Sequence, residues 1–314
     1  MEKLRIVFMG TPDFAVEVLD AIYKQNYEIA AVVTAPDRPA GRGQKINKSA
    51  VKLYAESKEL KVLQPTNLKS DEFLEELKAL NANLQVVVAF RMLPKAVWSM
   101  PKLGTFNLHA SLLPDYRGAA PINWAIINGE EKTGVTTFFI DEEIDTGAII
   151  LQKETSIQKD ETAGVLHDKL MHLGAETVLE TLELIEKGSV KTKIQPAEVT
   201  KTAFKLNRDN CKIDFTQNSI QVYNHIRGLN PYPAAYTMVK DGESEWNVKL
   251  HDVSYVVENH NIKPGGFIVE NKEIKISTRD GFIKVATLQF PGKRKMTASE
   301  LLNGMQFSDK TYCF

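Results

Sequence analysis

Short runs of β-branched and apolar residues alternate with longer segments of helical period in the first half of the chain. This alternation is typical of βαβ units, which build a mostly parallel sheet with helices on its faces. The predicted strands lie at 6–9, 29–34, 84–90, 104–109 and 134–140, and the predicted helices at 14–25, 49–59, 71–80, 122–128 and 162–187. We therefore expect an α/β fold in this part of the chain.

The pattern changes beyond about residue 206. One helical segment, 219–228, is followed by short apolar runs that Gly, Asn and Asp turns separate, as at Lys263-Pro264-Gly265-Gly266. Such spacing predicts a small β-barrel domain. A polar stretch lies between the two patterns, so the expected organisation is a first domain at 1–190, a linker at 191–205 and a β-barrel domain at 206–314.

Composition narrows the class of protein. With 43% hydrophobic and 25% charged residues, the 314-residue chain is typical of globular proteins. Its two cysteines, Cys211 and Cys313, lie far apart with no histidine at ligand spacing, so we expect no metal. The start lacks a secretory signal, and no apolar run approaches the roughly 20 residues that span a bilayer. A cytoplasmic protein without a membrane partner is expected.

The stretch from Asn107 to Asp145 carries the candidate chemistry. Asn107 and His109 are two residues apart at the end of a predicted strand, so their side chains leave on the same face. A carboxamide and an imidazole suit acyl transfer, because Asn donates to a developing oxyanion and His donates or shuttles a proton. Asp145 follows another predicted strand, and its carboxylate could orient the imidazole and stabilise the charged form.

Each of these residues also has a simpler explanation. An Asn-x-His at a strand end is often structural, and a carboxylate in an acidic loop is often a solvated turn or a helix cap. Ser111 has no G-x-S-x-G elbow around it, which disfavours a serine hydrolase. Pro12 interrupts the phosphate turn that a nicotinamide-binding G-x-G-x-x-G would need. From the residues alone, the catalytic and structural interpretations both stay open.

The longest motif of the chain is Asn107-Leu108-His109-Ala110-Ser111-Leu112-Leu113-Pro114. It resembles the signature of the folate-dependent formyltransferase family, in its methionyl-tRNA branch. Further matching segments lie at 8–15, 35–43, 116–121, 133–136, 145–147, 226–234 and 301–304. The similarity spans nearly the whole chain, in the same order and with matching spacings.

The resemblance implies a Rossmann-like formyltransferase domain followed by an OB-like β-barrel. It also implies transfer of the formyl group of 10-formyltetrahydrofolate to the amino group of methionyl-initiator tRNA, for translation initiation. In that family the amine attacks the formyl carbon directly. Carried over, Asn107 and His109 would stabilise the oxyanion and Asp145 would assist His109. The formyl-folate site would be lined by Ser111, Leu112, Leu113, Pro114, Arg91, Met92 and Leu93.

One segment departs from the commoner family pattern. Many members carry a glycine after the aromatic residue near position 90, whereas here Phe90 is followed by Arg91-Met92-Leu93. This Arg-x-Leu is similar to glycinamide ribonucleotide formyltransferase, the purine-pathway relative. The departure bears on pterin recognition and on the acceptor, and leaves the expected reaction type unchanged.

Basic residues cluster in two places that could meet phosphates. The segment 36–52 carries five basic residues and one acidic residue. The chain from Lys205 onward has 15 Lys and Arg residues and 12 Asp and Glu residues, whereas the whole chain has a net charge of −1. A solvated loop without a ligand would have the same composition. The resemblance implies that the first segment holds the tRNA acceptor stem and that the last domain binds tRNA. A monomer is expected. The expected tRNA contacts are Arg38, Arg42, Lys45, Arg227, Lys293 and Arg294.

Other acceptors would use the same chemistry. A formyltransferase for a purine precursor, or a formyl-folate hydrolase, would not be expected to combine the basic loop with this C-terminal domain. Sugar-nucleotide formyltransferases also carry a barrel-like C-terminal domain, so they are the main alternative. A non-catalytic nucleotide- or RNA-binding module is a third hypothesis, against which the intact Asn107, His109 and Asp145 argue.

Overall fold

The computed structural model describes residues 3–40, 45–196, 198 and 201–314. By their packing these residues form two units that are not contiguous in sequence. Unit 1 comprises Met1–Gly118, Thr133–Thr155 and His167–Thr202, and unit 2 comprises Ala119–Lys132, Ser156–Leu166 and Ala203–Phe314. Two short stretches that precede residue 167 thus belong with the C-terminal unit. The linear boundaries at 190 and 205 stay a prediction.

A seven-stranded sheet forms the centre of unit 1. The strands of the chain up to its long helix are β1 (Arg5–Gly10), β2 (Glu28–Val33), β3 (Arg38–Ala40), β4 (Lys45–Asn47), β5 (Val62–Leu63), β6 (Leu84–Val88), β7 (Thr105–His109), β8 (Arg117–Gly118), β9 (Lys132–Phe139) and β10 (Ile149–Ser156). Seven of them are hydrogen-bonded in the order β10-β9-β7-β6-β1-β2-β5. The pairs from β7 to β5 are parallel, whereas β9 is antiparallel to β7. The expected α/β fold with a mostly parallel sheet is confirmed.

The helices form where apolar spacing and capping residues favour them. They are α1 (Asp13–Lys24), α2 (Ala50–Ser57), α3 (Asp71–Ala79), α4 (Lys95–Trp98), α5 (Pro121–Ile127), α6 (Ala163–Glu186), α7 (Ser219–Leu229) and α8 (Ala298–Leu302). In α1 the buried residues recur with helical period, and Asp13 and Lys24 lie at the ends where the helix dipole favours their charges. The hydroxyl of Ser49 caps α2 by accepting a hydrogen bond from the Lys52 amide.

The middle of the sheet is buried on both faces, which agrees with the apolar run of β1 and the mostly apolar, fully buried β6. The strand β6 ends just before Ala89, which has a φ of 47°. That left-handed conformation is uncommon for a residue with a side chain, and such backbone often marks a functional segment. The strand β7 ends at His109, so the candidate residues begin where the central strands end.

Several elements of unit 1, such as α4 and β8, escaped the sequence-based predictions, and two others are informative. The strand β10 lies at the edge of the sheet beside β9, and its second half carries the polar residues Gln152 to Ser156, which hid it. The basic segment after β2 was expected to be a mobile loop, but β3 and β4 pair in antiparallel register on either side of residues 41–44. The remaining predicted helices and strands of this region agree with the structure to within a few residues.

Unit 2 contains two antiparallel sheets, which confirms a C-terminal domain of antiparallel strands. Its strands, with the short β11 that precedes them, are β11 (Thr202–Ala203), β12 (Ala235–Asp241), β13 (Ser244–Leu250), β14 (Val253–Val257), β15 (Phe267–Glu270), β16 (Glu273–Ser277), β17 (Gly281–Val285), β18 (Thr287–Gln289), β19 (Met296–Thr297) and β20 (Tyr312–Cys313). The sheet orders are β19-β18-β13-β12-β20 and β14-β17-β16-β15. Both sheets and α7 contribute to one core, which includes Val248, Ile276 and Ile226. A closed OB-like barrel stays a prediction.

Within the described ranges, no helix combines the length and the apolar character that crossing a membrane requires.

We expect Gly134→Ala to destabilise the protein. Gly134 lies in β9, and an added Cβ would fall 2.0 Å from the Lys153 carbonyl oxygen on β10, which is backbone and cannot rotate away. Overpacking of this kind costs about 1–3 kcal/mol in the free energy of unfolding. Urea unfolding measures the loss. Gly304→Ala is the matched control, because no described atom lies within 4 Å of the position that its Cβ would take. Equal stability of the two variants would contradict the packing described.

Candidate functional site

Asn107 and His109 stand on one face of β7. Asn107 pairs with Val87 of β6 and with Phe138 of β9, and His109 pairs with Thr136. Because side chains alternate along a strand, the amide and the imidazole leave the sheet together. The His109 side chain is only 7% exposed. The Asn107 side chain is half-buried and makes no hydrogen bond within the described part of the chain, so its amide is available to a ligand.

The two ring nitrogens of His109 face different groups. Its Nε2 lies 2.9 Å from the carbonyl oxygen of Tyr116. A carbonyl only accepts hydrogen bonds, so this nitrogen carries the hydrogen. Its Nδ1 lies 3.8 Å from Oδ2 of Asp145. That distance exceeds a hydrogen bond but is short enough for the carboxylate to attract a charged imidazole. The sequence-based expectation that these two residues approach each other agrees with this geometry.

The Asp145 carboxylate is fixed by backbone. Its Oδ2 accepts a hydrogen bond of 3.0 Å from the amide of Gly118. The residue itself adopts a φ of 56°, in the left-handed region that aspartate tolerates better than most residues. Two residues later, Gly147 lies so close to β9 that an added Cβ would fall 1.6 Å from the Phe139 carbonyl oxygen. Only glycine therefore allows this turn to lie against the strand.

A residue that sequence reasoning missed also touches this turn. Gln195 was placed in a linker, yet it is buried and its amide donates to the carbonyl oxygens of Asp145 and Gly147 at 3.0 and 2.8 Å. Its own oxygen accepts from the Arg117 guanidinium. Nothing in the local sequence distinguishes Gln195 from a solvated glutamine, because its burial comes from a long-range strand-like pairing.

The segment Ser111 to Pro114 is a rigid wall. The Ser111 hydroxyl donates to the Asp115 carbonyl at 2.7 Å, so it is satisfied within the segment. The buried Thr136 hydroxyl donates to the Ser111 carbonyl and accepts from the Leu113 amide. Leu113 packs with Phe138 and Ile149. What this wall offers a ligand is its backbone and the partly exposed Leu112 and Pro114.

The side chains of the segment Arg91 to Leu93 lie in three different environments. The Arg91 guanidinium donates to the carbonyls of Pro65 and Thr66. Its pKa is lowered mainly by burial and further by the positive charge of the nearby Arg38. Its Nε is buried and has no hydrogen-bond partner among the described residues. Met92 is 72% exposed, whereas Leu93 belongs to the buried core. The arginine therefore keeps one donor that a ligand could satisfy.

The basic residues of unit 1 differ in how freely they could meet an anion. Arg38 is exposed at the start of β3. Lys52 is paired with Asp37 at 2.6 Å, and this hydrogen bond lowers the pKa of Asp37. Arg42 lies outside the described residues, and Lys45 is placed only by its backbone in β4.

The predicted tRNA-binding residues of unit 2 differ in exposure. Lys293 and Arg294 are exposed, and Arg294 is paired with Glu300 at 2.8 Å. Arg227 is only 7% exposed, and its guanidinium donates to Asn224 and to the Glu161 carbonyl. Burial lowers the pKa of Arg227. An arginine engaged in this way cannot reach a phosphate, so the structure argues against the tRNA contact predicted for Arg227.

Two family models match successive parts of the chain. Residues 4–182 match the family model described as formyl transferase, and residues 205–306 match the one described as formyl transferase, C-terminal domain. The chain belongs to the formyl transferase family. The first of these matched regions includes Asn107, His109 and Asp145.

Two bacterial methionyl-tRNA formyltransferases are similar to this chain over its whole length. A methionyl-tRNA formyltransferase of Flavobacterium johnsoniae is 61% identical over 99% of each chain, and that of Flavobacterium psychrophilum is 63% identical over 100% of each. Among solved structures, an N-formyltransferase of Helicobacter canadensis in complex with folinic acid and dTDP-3-aminofucose has a TM-score of 0.65. It is 24% identical and covers 90% of this chain and 98% of its own, so it shows the shared fold.

We expect Thr136→Val to weaken the wall beside the site. Valine keeps the shape but leaves the Ser111 carbonyl and the Leu113 amide without the hydroxyl they share. Two unsatisfied buried groups cost about 2–4 kcal/mol in the free energy of unfolding, which urea denaturation measures.

Thr137→Val is the matched control. Among the described residues the Thr137 hydroxyl is hydrogen-bonded to Thr181 alone, and Thr181 keeps its hydrogen bond to the Thr177 carbonyl. The control should therefore lose less than about 1.5 kcal/mol. Equal losses in the two variants would contradict the role given to Thr136.

Proposed function

We propose that the protein transfers the formyl group of 10-formyltetrahydrofolate to the amino group of methionine carried by initiator tRNA. The observation that carries the chemistry is the approach of His109 to Asp145 beside the free amide of Asn107. The acceptor is supported by the two Flavobacterium relatives, which are named for it and are similar over the full length of the chain.

In the proposed reaction the methionine amine attacks the formyl carbon. A C–N bond forms, and the carbonyl electron pair moves to oxygen. Asn107 and protonated His109 donate hydrogen bonds to this oxyanion. Since Nε2 of His109 is engaged by the Tyr116 carbonyl, Nδ1 is the nitrogen that serves the substrate. One well-placed oxyanion donor contributes about 10²–10³ in rate.

The tetrahedral intermediate then loses its folate. The attacking nitrogen gives up a proton, which Asp145 accepts directly or through a water molecule. The bond between the former formyl carbon and N10 of the folate breaks, and the leaving nitrogen takes a proton from His109. The oxygen lone pair re-forms the carbonyl, so the products are formyl-methionyl-tRNA and tetrahydrofolate. Asp145 suits this task because its carboxylate already faces the imidazole.

The residues around the site fit a reduced folate. A pterin ring presents hydrogen-bonding nitrogen and oxygen atoms on a flat, partly apolar body. The backbone of Ser111 to Pro114, the unsatisfied Nε of Arg91 and the exposed Met92 supply donors, acceptors and apolar surface of this kind. Leu93 supports the segment from within the core.

The tRNA is proposed to contact basic side chains in both units. The candidates are Arg38, Arg42, Lys45, Lys293 and Arg294, and the burial of Arg227 removes it from this set. Backbone phosphates dominate the affinity of such contacts. We also infer that the protein acts as a monomer in the cytoplasm, the compartment in which initiator tRNA is charged and used.

An acceptor assay tests the proposed function directly. We expect 10-formyltetrahydrofolate to be consumed with methionyl-initiator tRNA, and not with a purine-precursor amine or a nucleotide-linked amino sugar. A radiolabel on the formyl group, followed into the product, measures this. Preferential formylation of the amino sugar would instead support the main alternative.

Salt dependence tests the tRNA contacts. The double variant Lys293→Ala/Arg294→Ala should reduce the slope of log binding constant against log salt by about one unit per lost phosphate contact. Lys187→Ala, at an exposed lysine just after α6, is the matched control and should leave the slope unchanged. Filter binding across a salt series measures the slope. Parallel lines for the double variant and the parent protein would exclude these two residues as phosphate contacts.

A further inference from the structure

Gln195 joins two parts of the site that lie far apart in sequence. Its amide nitrogen donates to the carbonyl oxygens of Asp145 and Gly147, at 3.0 and 2.8 Å. Its amide oxygen accepts from Nε and Nη2 of Arg117, at 3.1 and 2.7 Å. The side chain is 8% exposed, so these four contacts are made away from bulk water.

Backbone pairing explains why this glutamine is buried. Lys193 and Ile149 exchange both backbone hydrogen bonds, at 2.8 and 2.9 Å, in an antiparallel bridge. Moving two residues along each strand from that bridge places Gln195 opposite Gly147. The backbone ladder does not continue to this pair, and the Gln195 side chain makes the hydrogen bonds there instead.

A primary amide matches the chemistry of this position. The two carbonyl oxygens need a group with two N–H donors, and the guanidinium needs an acceptor. Glutamine supplies both from one planar group. A glutamate would still accept from Arg117 but could not donate to either carbonyl. A methionine of similar length would do neither.

The hydrogen bonds of Gln195 support Asp145 from two directions. On one side Gln195 holds the backbone of Asp145 itself. On the other side it holds Arg117, the residue before Gly118, whose amide donates to Oδ2 of Asp145. Asp145 also sits in the left-handed region, so its conformation needs external support.

We propose that Gln195 is the positioning residue that sets the Asp145 carboxylate against His109. This inference rests on the proposed function, since it takes Asp145 to act in formyl transfer. Gln195 itself contacts neither the imidazole nor the Asp145 carboxylate, so it acts through the turn that it holds.

The test compares Gln195→Met and Gln195→Glu with the parent protein in single-turnover formyl transfer. With both substrates saturating, we expect each variant to lower the rate by about 10²-fold, as small displacements of reacting groups do. Binding of methionyl-tRNA and of 5-formyltetrahydrofolate should stay unchanged. Gln158→Met, at an exposed glutamine, is the matched control and should keep the parent rate.

A double-mutant cycle with Asp145→Asn separates positioning from a general loss of structure. If Gln195 acts through the carboxylate, Gln195→Glu should cost little more once the carboxylate is gone. Effects that multiply in the double variant would overturn the inference, as would a parent-like rate in either single variant. The glutamate variant preserves the Arg117 contact, so it keeps the test open if the methionine variant fails to fold.

The outcome distinguishes this inference from the proposed function. A parent-like rate for Asp145→Asn would count against the catalytic role of Asp145 itself. A large loss for Asp145→Asn, together with normal rates for both Gln195 variants, would overturn only the positioning role of Gln195.

Discussion

The turn between β9 and β10 has to fold back toward β7 for His109 and Asp145 to meet. The reason is strand direction: β9 is antiparallel to β7, so the end of β9 pairs near the start of β7 and away from His109. The turn achieves this because Gly147 lies against the Phe139 carbonyl, where any side chain would collide. Its far side is held by Gln195 and Gly118. The arrangement of the site therefore depends on this folded turn more than on the sheet.

The spacing of apolar residues predicted those elements whose burial it determines directly. The buried apolar run of β6 and the periodic α1 lie close to where they were expected. The strand β10 was missed because an edge strand with polar residues has little apolar signal. The pairing of β3 with β4 was missed because the proline, glycine and basic residues of this segment are typical of a loop.

The candidate site was predicted from two sources of different strength. The i, i+2 spacing of Asn107 and His109 indicated their shared face, and Asp145 was a candidate partner that the family resemblance favoured. Neither source could give Gln195, whose burial depends on the pairing of Lys193 with Ile149 across 44 positions of sequence. The environment of Arg227 could not be predicted for a related reason, since only tertiary packing shows that its guanidinium donates to Asn224 and to the Glu161 carbonyl.

In the proposed reaction the His109 imidazole acts on the formyl carbonyl and not on the tRNA. The most direct measurement is the single-turnover rate of formyl transfer by His109→Ala, with tRNA binding measured in parallel and with the exposed His172→Ala as control. The account predicts a rate lower by about 10²–10⁴-fold, with unchanged tRNA affinity and a normal control. A His109→Ala protein that formylates methionyl-tRNA at the parent rate would contradict it.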